Sequence, residues 1–147
     1  ADSREFIGTF IAWCQEQPRT KFQFAIVLLA EERLIGTCGI RLARTVGPHN
    51  DRFSAREADI GYELDSRFWG HGYATEAVRA LLAFGFEQLG LHRIWAHCLA
   101  ENVASIRLLE RIGMRREGHL RENEWQQGHW HDTLIYAMLA QEWEGQA

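Results

Sequence analysis

Apolar and polar positions follow two different periods along this chain, and the change of period marks the boundaries of its elements. Residues 5–17 carry apolar side chains three and four positions apart, which is typical of a helix, and Pro18 lies just past the end. The run 22–29 is apolar and rich in aromatic and β-branched residues, which favours a strand, and the run 34–42 reads as its partner strand. Because only the polar turn 30–33 separates them, we expect a β-hairpin after the first helix.

The middle of the chain predicts a strand, a long helix and a second strand. Residues 57–64 read as a strand, and 73–89 carry an apolar stripe of helical spacing that stops before Gly90, a natural helix end. Residues 92–99 alternate between apolar and polar side chains, as in a strand with one buried face. A strand, a helix and a strand in this order favour a right-handed parallel crossover.

Three shorter elements are predicted near the carboxyl end. Asn102 is suited to cap a short helix that ends at Gly113, because its side chain can accept a hydrogen bond from the first turn. Strand-like runs follow near 115–123 and 129–139, joined by a turn at Gly128. We expect these last strands to pair antiparallel, like the first hairpin.

Together these elements predict a single α/β domain over residues 1–147. Its sheet is expected to be mixed and mostly antiparallel, with a central parallel β-α-β crossover and helices on both faces. The polar stretch 44–56, broken by Gly47 and Pro48, reads as a surface loop. With 147 residues, of which 46% are hydrophobic, the chain is long enough for one substantial core.

Charge and hydropathy narrow the function classes. The net charge is −4, and nucleic-acid-binding domains are usually basic, so direct nucleic-acid binding is not expected. No apolar run approaches the length of a membrane span, and no secretory signal pattern opens the sequence. We expect a soluble cytoplasmic protein that does not bind membranes.

Cysteine and histidine positions indicate neither a disulfide framework nor a metal centre. Cys14, Cys38 and Cys98 are odd in number and far apart, and the last two lie in strand-like apolar runs typical of buried thiols. His129 and His131 share one face of a strand, but no third ligand stands at a suitable spacing. No metal site is therefore predicted.

The run Arg67-Phe-Trp-Gly-His-Gly-Tyr-Ala74, called the glycine clasp below, is the most informative stretch. It places Gly70 and Gly72 between a predicted strand and the start of the long helix. The first amides of a helix lack partners within it and lie at the positive end of its dipole, which favours an anion such as a phosphate. The spacing differs from both the GxGxxG and the GxxxxGK[ST] patterns. A purely structural turn before a helix is the alternative.

A second block makes the pattern specific. Residues 102–118 resemble the sequence Asn-x-x-Ser-x-x-Leu-x-Glu-Lys-x-Gly-Phe-x-x-Glu-Gly of the GCN5-related N-acetyltransferases, the GNAT family, with Arg111 for Lys and Met114 for Phe. The glycine clasp resembles the Arg/Gln-x-x-Gly-x-Gly/Ala pyrophosphate motif of the same family. Two unrelated motifs in family order are hard to obtain by chance. The resemblance covers about residues 22–140 and implies the GNAT, or acyl-CoA N-acyltransferase, fold.

Two further segments resemble one branch of that family. Residues 58–64 and 119–121 are similar to the ribosomal-protein N-terminal acetyltransferases of the RimJ/RimL type. Members of this branch usually begin with a strand before the segment that matches residues 6–17, and we expect that first strand to be missing here. Because this region helps to wall the acceptor pocket in the family, the resemblance says more about the cofactor than about the acceptor.

The resemblance implies acetyl-CoA as cosubstrate. Amides of the glycine clasp would bind the pyrophosphate, and a free edge of the strand 57–64, splayed from the strand 92–99, would hydrogen-bond the peptide-like pantetheine arm. Asn102 would contact this arm besides capping its helix. The cofactor-binding residues implied in this way are Tyr62, Glu63, Leu64, Arg67, Gly70, His71, Gly72, Tyr73, Ala74, Asn102, Ser105 and Arg107. Arg67 and Arg107 can equally be solvated surface residues.

The resemblance also implies two catalytic residues. Ser105 matches the serine that protonates the departing CoA thiolate in RimL-like enzymes; many GNAT enzymes use a tyrosine, but none stands between positions 74 and 135. Glu124 matches the glutamate that acts as general base toward the acceptor amine. Ser105 can instead make a purely structural bond, and Glu122 and Glu63 are further carboxylates near the cleft.

The predicted reaction is the transfer of an acetyl group to a primary amine by direct attack in a ternary complex. A protein α-amine has a pKa near 7.7–8.0 against about 10.4 for lysine, so it loses its proton more readily, and a protein or peptide N-terminus is the favoured acceptor. Two alternatives stay open: a small amine such as a polyamine or aminoglycoside, and an acyl-CoA-binding module without turnover. Trp69, Trp125 and Trp130 can line an acceptor channel or simply pack, and a homodimer through the last strands is compatible with the family.

Overall fold

The computed structural model describes residues 3–16, 19–43 and 57–146, with side chains from residue 7 onward. The helices are α1 (Ser3–Gln15), α2 (Tyr73–Ala83), α3 (Val103–Arg111) and α4 (Ala140–Glu144). The strands are β1 (Lys21–Leu28), β2 (Arg33–Ala43), β3 (Glu57–Leu64), β4 (Arg93–Leu99), β5 (Arg115–Gln126) and β6 (His129–Leu139). In this part of the chain the strands form one six-stranded sheet in the order β1-β2-β3-β4-β6-β5, in which β3 and β4 run parallel and the other neighbours antiparallel.

The predicted fold class is confirmed, and each predicted helix and strand lies close to its expected bounds. The long helix passes from α2 into a π-helical turn at Phe84–Gln88, which spacing alone does not reveal. Helix α4 is absent from the prediction because five residues are too few to show a period; the Glu142 carboxylate caps it by accepting the Leu139 N–H at 3.1 Å. The predicted loop 44–56 lies outside the described residues.

The core lies on one face of the sheet, beneath α2 and α3. Ile40, Ile60 and Ile94, on three neighbouring strands, are at most 3% exposed and share this face. Leu82 of α2 and Leu109 of α3 are fully buried against them. Burial of these side chains is the main favourable contribution to the stability of the domain.

Helix α1 covers part of the other face. The Phe22 ring packs on Phe84 at 5.3 Å between centroids, so Phe22 faces the core and its neighbour Lys21 points the opposite way. The Lys21 ammonium lies 4.9 Å from the centre of the Trp13 ring of α1. The expectation of helices on both faces is therefore confirmed.

The parallel pairing between β3 and β4 is short. It covers three rows, from Glu57 opposite Arg93 to Asp59 opposite Trp95, although both strands continue beyond them. From there β3 follows β2 and β4 follows β6, each to its end. A gap therefore opens between residues 60–64 of β3 and 96–99 of β4. This β3/β4 gap is the splay that the family resemblance implied and that the residues alone did not indicate.

A buried tyrosine fixes α3 against the far strands. The Tyr136 side chain of β6 is fully buried; its hydroxyl donates to Glu110 Oε1 of α3 at 2.8 Å and accepts from Arg116 Nη2 of β5 at 3.0 Å. Burial raises the pKa of Tyr136, so the phenol keeps its proton and the donor role. The last turn of α3 is thereby fixed against β5 and β6.

Gly36 offers a stability test of the β2–β3 pairing, because a Cβ there would stand 2.2 Å from the Glu63 carbonyl oxygen. We expect Gly36→Ala to push the two backbones apart and lower the free energy of unfolding by about 1–3 kcal/mol. Gly61 on β3 is the matched control, since a Cβ there meets nothing within 4 Å. Urea or thermal unfolding of both variants measures the difference; equal stability of the two would contradict this account.

Candidate active site

The carboxyl ends of parallel strands meet at one edge of a sheet, and ligands commonly bind there in α/β proteins. In this chain β3 leads into the glycine clasp and α2, whereas β4 leads through Asn102 into α3. The topology therefore brings the two sequence motifs, which are distant along the chain, to the same edge. The β3/β4 gap lies between them.

The glycine clasp presents unpaired backbone amides. Gly70 and Gly72 have φ values of 77° and 81°, a region that residues with a Cβ enter only at a cost. The bond from Glu76 N to Gly72 O, at 3.1 Å, opens the helical pattern of α2. It leaves the amides of residues 73–75 without helical partners, and Gly72 has no side chain to cap them. This end of α2 can therefore bind an anion.

Side chains of the glycine clasp hydrogen-bond to backbone carbonyls in and just before it. The Trp69 indole donates to the Leu64 carbonyl at 2.9 Å. His71 Nδ1 lies 2.8 Å from the Trp69 carbonyl and must carry the proton, because a carbonyl oxygen only accepts, and the imidazole stacks on Tyr73 with centroids 5.4 Å apart. The Leu64 carbonyl is thus already paired, which leaves it less available to a ligand than the strand edge before it.

Arg67 is held by an acidic neighbour that the sequence analysis did not consider. Its guanidinium reaches Asp65 Oδ2 at 2.6 Å, and its backbone N–H donates to Asp65 Oδ1 at 3.0 Å. The hydrogen bonds from Arg67 lower the Asp65 pKa to about 2, and the pair raises the pKa of Arg67. A phosphate that recruits Arg67 must therefore compete with this carboxylate.

Ser105 meets a tyrosine at the mouth of the gap. Its hydroxyl lies 2.5 Å from the Tyr62 hydroxyl, and its backbone N–H donates to Asn102 Oδ1 at 3.1 Å, so the predicted N-cap is confirmed. Tyr62 was predicted as a cofactor-binding residue but not as a proton donor, because it lies on β3, 43 residues before Ser105. The side chain of Arg107, two residues further along α3, is exposed.

Burial sets the protonation states around Ser105. It raises the pKa of Tyr62, with the Ser105 hydrogen bond acting in the opposite direction, so the phenol stays protonated and can donate. Cys98 also lies beside Ser105, and burial raises the pKa of its thiol. Cys38 and Cys98 are both buried, which confirms that interpretation, and neither has the lowered pKa of a nucleophilic cysteine.

A bulge in β5 carries the second predicted catalytic residue, Glu124. Leu120 pairs with Thr133 and Glu124 with His131, so residues 121–123 oppose Asp132 alone. The bulge requires a positive φ of 46° at residue 122, where the backbone N–H donates to Asp132 Oδ1 at 2.7 Å. This hydrogen bond and the one from His119 lower the pKa of Asp132.

The predicted acid and base lie on opposite faces of the sheet. Tyr62 shares the helix-covered face with the core and so reaches Ser105, whereas its neighbour Glu63 points to the other face. Glu124 is paired with His131, which belongs to the face opposite the core residues of β6. Within the described chain no hydrogen bond joins Ser105 to Glu124, and Glu124 lies on β5, two strands away from β4.

One premise of the sequence analysis is wrong: His129 and His131 do have a third potential metal ligand nearby. Glu101, which follows β4, places Oε1 at 3.2 Å from His131 Nδ1 and 3.5 Å from His129 Nε2. A glutamate 28 residues before His129 does not form a recognisable ligand spacing in sequence. Only the meeting of β4 with β6 brings the three side chains together.

Comparison with known proteins identifies the family. Residues 1–115 match the acetyltransferase (GNAT) domain. The chain belongs to the GNAT acetyltransferase family. A curated relative, the uncharacterized N-acetyltransferase p20 of Bacillus licheniformis, is 37% identical over 123 residues, which are 84% of this GNAT chain and 65% of p20. The GNAT chain therefore spans just under two thirds of the length of that relative.

Solved GNAT structures support the fold. The ribosomal-protein-S5-alanine acetyltransferase of Vibrio fischeri superposes with a TM-score of 0.74 at 28% identity, over 86% of this chain and 66% of that one. The spermidine/spermine N-acetyltransferase SpeG of Vibrio cholerae gives a TM-score of 0.81 over 99% of this chain and 79% of its own, but at 21% identity it supports the fold alone. In the described residues, no helix is long and apolar enough to cross a membrane.

The Asp65–Arg67 pair can be tested by titration. We expect the Asp65 carboxyl to titrate near pH 2 and, in Arg67→Gln, to return toward its ordinary value of 3.8. Because the folded pKa is the lower one, the pair stabilises the glycine clasp above about pH 4, and this contribution is lost as pH falls toward 2. NMR titration of the Asp65 side-chain carbon measures the shift. Arg33→Gln is the control, since Arg33 acts only weakly on Asp65; equal shifts in both variants would contradict the assignment.

Proposed function

We propose that this GNAT domain, taken as one unit over residues 1–147, transfers an acetyl group from acetyl-CoA to the α-amine of a protein or peptide N-terminus. The observation that carries the proposal is the β3/β4 gap with an uncapped helix end on one side and the Tyr62–Ser105 pair on the other. Acetyl-CoA fits these three features: its pyrophosphate suits the helix end, its peptide-like arm suits the gap, and its thioester suits the Tyr62–Ser105 pair.

The proposed cofactor site follows the gap from the glycine clasp inward. The amides at the start of α2 bind the pyrophosphate, and Arg67 adds charge when it exchanges Asp65 for phosphate. Backbone groups of β3 at residues 60–63, left unpaired where β4 turns away, bind the amides of the pantetheine arm as a neighbouring strand would. Asn102 and Arg107 contact the cofactor from the side of α3.

The proposed chemistry needs one proton acceptor and one proton donor. Glu124, directly or through a water, takes the proton from the acceptor ammonium, and the free amine attacks the thioester carbonyl carbon. The C–N bond forms, the C–S bond breaks, and the CoA thiolate takes a proton from the Tyr62–Ser105 pair. The second proton that the nitrogen loses on becoming an amide passes through water and restores the proton of that pair. Tyr62 suits this role because its raised pKa keeps it protonated until the thiolate develops.

The choice of an α-amine rests on energy and on surface chemistry. Deprotonation of lysine costs about 3 kcal/mol more than that of an α-amine, given 1.36 kcal/mol for each pKa unit. Two exposed indoles, Trp125 and Trp130, pack edge to face at 5.3 Å on the same hairpin as Glu124 but on its opposite face, and they offer apolar surface to a peptide that passes the end of this hairpin. A relative at 28% identity is named for acetylation of a ribosomal-protein alanine, which supports the same acceptor class.

Binding of CoA tests the cofactor site with two glycines of equal conformation. Gly72 and Gly128 both have φ of 81°, and a Cβ would meet nothing within 4 Å at either position. We expect Gly72→Ala to weaken CoA binding about tenfold, because the strain of roughly 1–2 kcal/mol for an alanine at this φ distorts the amides that hold the pyrophosphate. Gly128→Ala carries the same strain at the β5–β6 turn and should bind CoA normally. Calorimetric titration of both variants with CoA measures the two affinities. Equal affinities would show that CoA does not bind at the start of α2.

Activity tests the base with a neighbouring carboxylate as control. We expect Glu124→Gln to lower kcat for peptide α-amine acetylation by about a hundredfold or more, whereas Glu122→Gln remains near wild type. Mass spectrometry of peptides and small amines incubated with acetyl-CoA measures both rate and acceptor class. Equal rates for the two variants would remove Glu124 from the proposal.

Other outcomes of the same assay distinguish the alternatives. Acetylation of polyamines but not of peptides would replace the proposed acceptor by a small amine. Tight CoA binding without acetylation of any amine in the panel would favour an acyl-CoA-binding module. In that case CoA affinity would not depend on Ser105 or Glu124.

A further inference from the structure

Three polar side chains converge just past the end of β4, outside the residues used in the proposed reaction. Glu101, His129 and His131 place one potential ligand atom each within 4.8 Å of the other two. His131 is 5% exposed, whereas His129 and Glu101 are exposed at the entrance. A buried imidazole whose ring reaches two exposed partners is an arrangement that packing alone does not require.

The hydrogen bond on the far side of the His131 ring fixes its tautomer. His131 Nε2 lies 3.0 Å from the Gln126 carbonyl oxygen, which can only accept, so Nε2 carries a proton. In the neutral ring Nδ1 then presents a lone pair toward the Glu101 carboxylate, which is also an acceptor. Histidines that bind metals typically donate their other N–H to a backbone carbonyl in this way.

The contact between His131 Nδ1 and Glu101 is close but poorly directed for a hydrogen bond. The two atoms are 3.2 Å apart, yet Nδ1 is buried and has no hydrogen-bond partner among the described residues. A proton on Nδ1 would need the oxygen near the N–H axis. An ion shared by both atoms needs the oxygen off that axis, because tetrahedral ligands meet the metal at about 109°.

The two distances from Glu101 to the histidine nitrogens suit a small tetrahedral ion. Zn²⁺ binds imidazole nitrogen and carboxylate oxygen at about 2.0–2.2 Å, so neighbouring ligand atoms of a tetrahedral site stand roughly 3.3–3.5 Å apart. Glu101 Oε1 lies 3.2 Å from His131 Nδ1 and 3.5 Å from His129 Nε2. Two nitrogens and one oxygen are a ligand set that Zn²⁺ accepts, whereas Mg²⁺ and Ca²⁺ prefer oxygen alone.

We propose that Glu101, His129 and His131 form a binding site for Zn²⁺ or a similar borderline divalent cation, with water at the fourth position. The ion would join the segment before α3 to β6, since Glu101 precedes the helix cap Asn102 directly in sequence. It would also lie beside Glu124, the cross-strand partner of His131. The site stands on the fold alone and does not depend on the proposed acetyl transfer.

Direct titration tests the site. Untagged protein, freed of metal by a chelator, is titrated with ZnCl₂ at pH 7.5 by calorimetry, and with CoCl₂ to record the intense visible bands of four-coordinate Co²⁺. We expect one equivalent to bind and to raise the melting temperature. His129→Ala and Glu101→Gln, both exposed and tolerant of change, should weaken Zn²⁺ binding tenfold or more and abolish the Co²⁺ bands.

Matched variants keep the result interpretable. His92→Ala and Glu122→Gln each remove the same type of exposed group outside the cluster and should bind Zn²⁺ as the wild type does. Absence of Zn²⁺ binding by the wild type, or equal binding by His129→Ala and His92→Ala, would overturn the proposal.

Discussion

The separation of β3 from β4 after three paired rows is the constraint on which the candidate site depends. Each strand keeps a complete ladder on its other side, β3 with β2 and β4 with β6, so the sheet remains continuous while the gap stays open. The backbone groups that face the gap still need hydrogen-bond partners, and only water or a ligand can supply them there. A ligand with its own amides is therefore favoured over an apolar one.

The two helices that begin at this edge differ in whether the protein satisfies the amides of their first turn. Helix α3 is capped by its own residue Asn102, so its first amides are partly satisfied by the protein. Helix α2 begins at Gly72, which offers no side chain, and its amides remain available to an anion. This difference supports the proposal that the start of α2 binds the pyrophosphate, and the hydrogen bond from Tyr136 to Glu110 fixes α3 against the sheet.

Local signals were enough to predict much of this architecture from the sequence. Helical and strand periods located the elements, and Gly72 and Asn102 marked two helix starts, because caps and positive φ are decided within a few residues. Contacts between distant segments left no such signal. Strand register, which periodicity does not determine, decides three of these contacts. They are the approach of Tyr62 to Ser105, the hydrogen bond from Glu122 to Asp132 in the β5 bulge, and the position of Glu101 beside His131.

The opposite placement of the proposed acid and base agrees with direct transfer. In such a reaction the amine approaches the thioester carbon from one side and the thiolate departs on another, so one proton is removed and a second is delivered at separate places. In the proposed reaction, Glu124 on the face opposite α2 and α3 and the Tyr62–Ser105 pair on the face that these helices cover are two such separate places. A covalent enzyme intermediate has no support from Cys98, whose burial keeps it a thiol. In the proposed reaction the gap thus admits the cofactor, and the two protons are handled on different faces of the sheet.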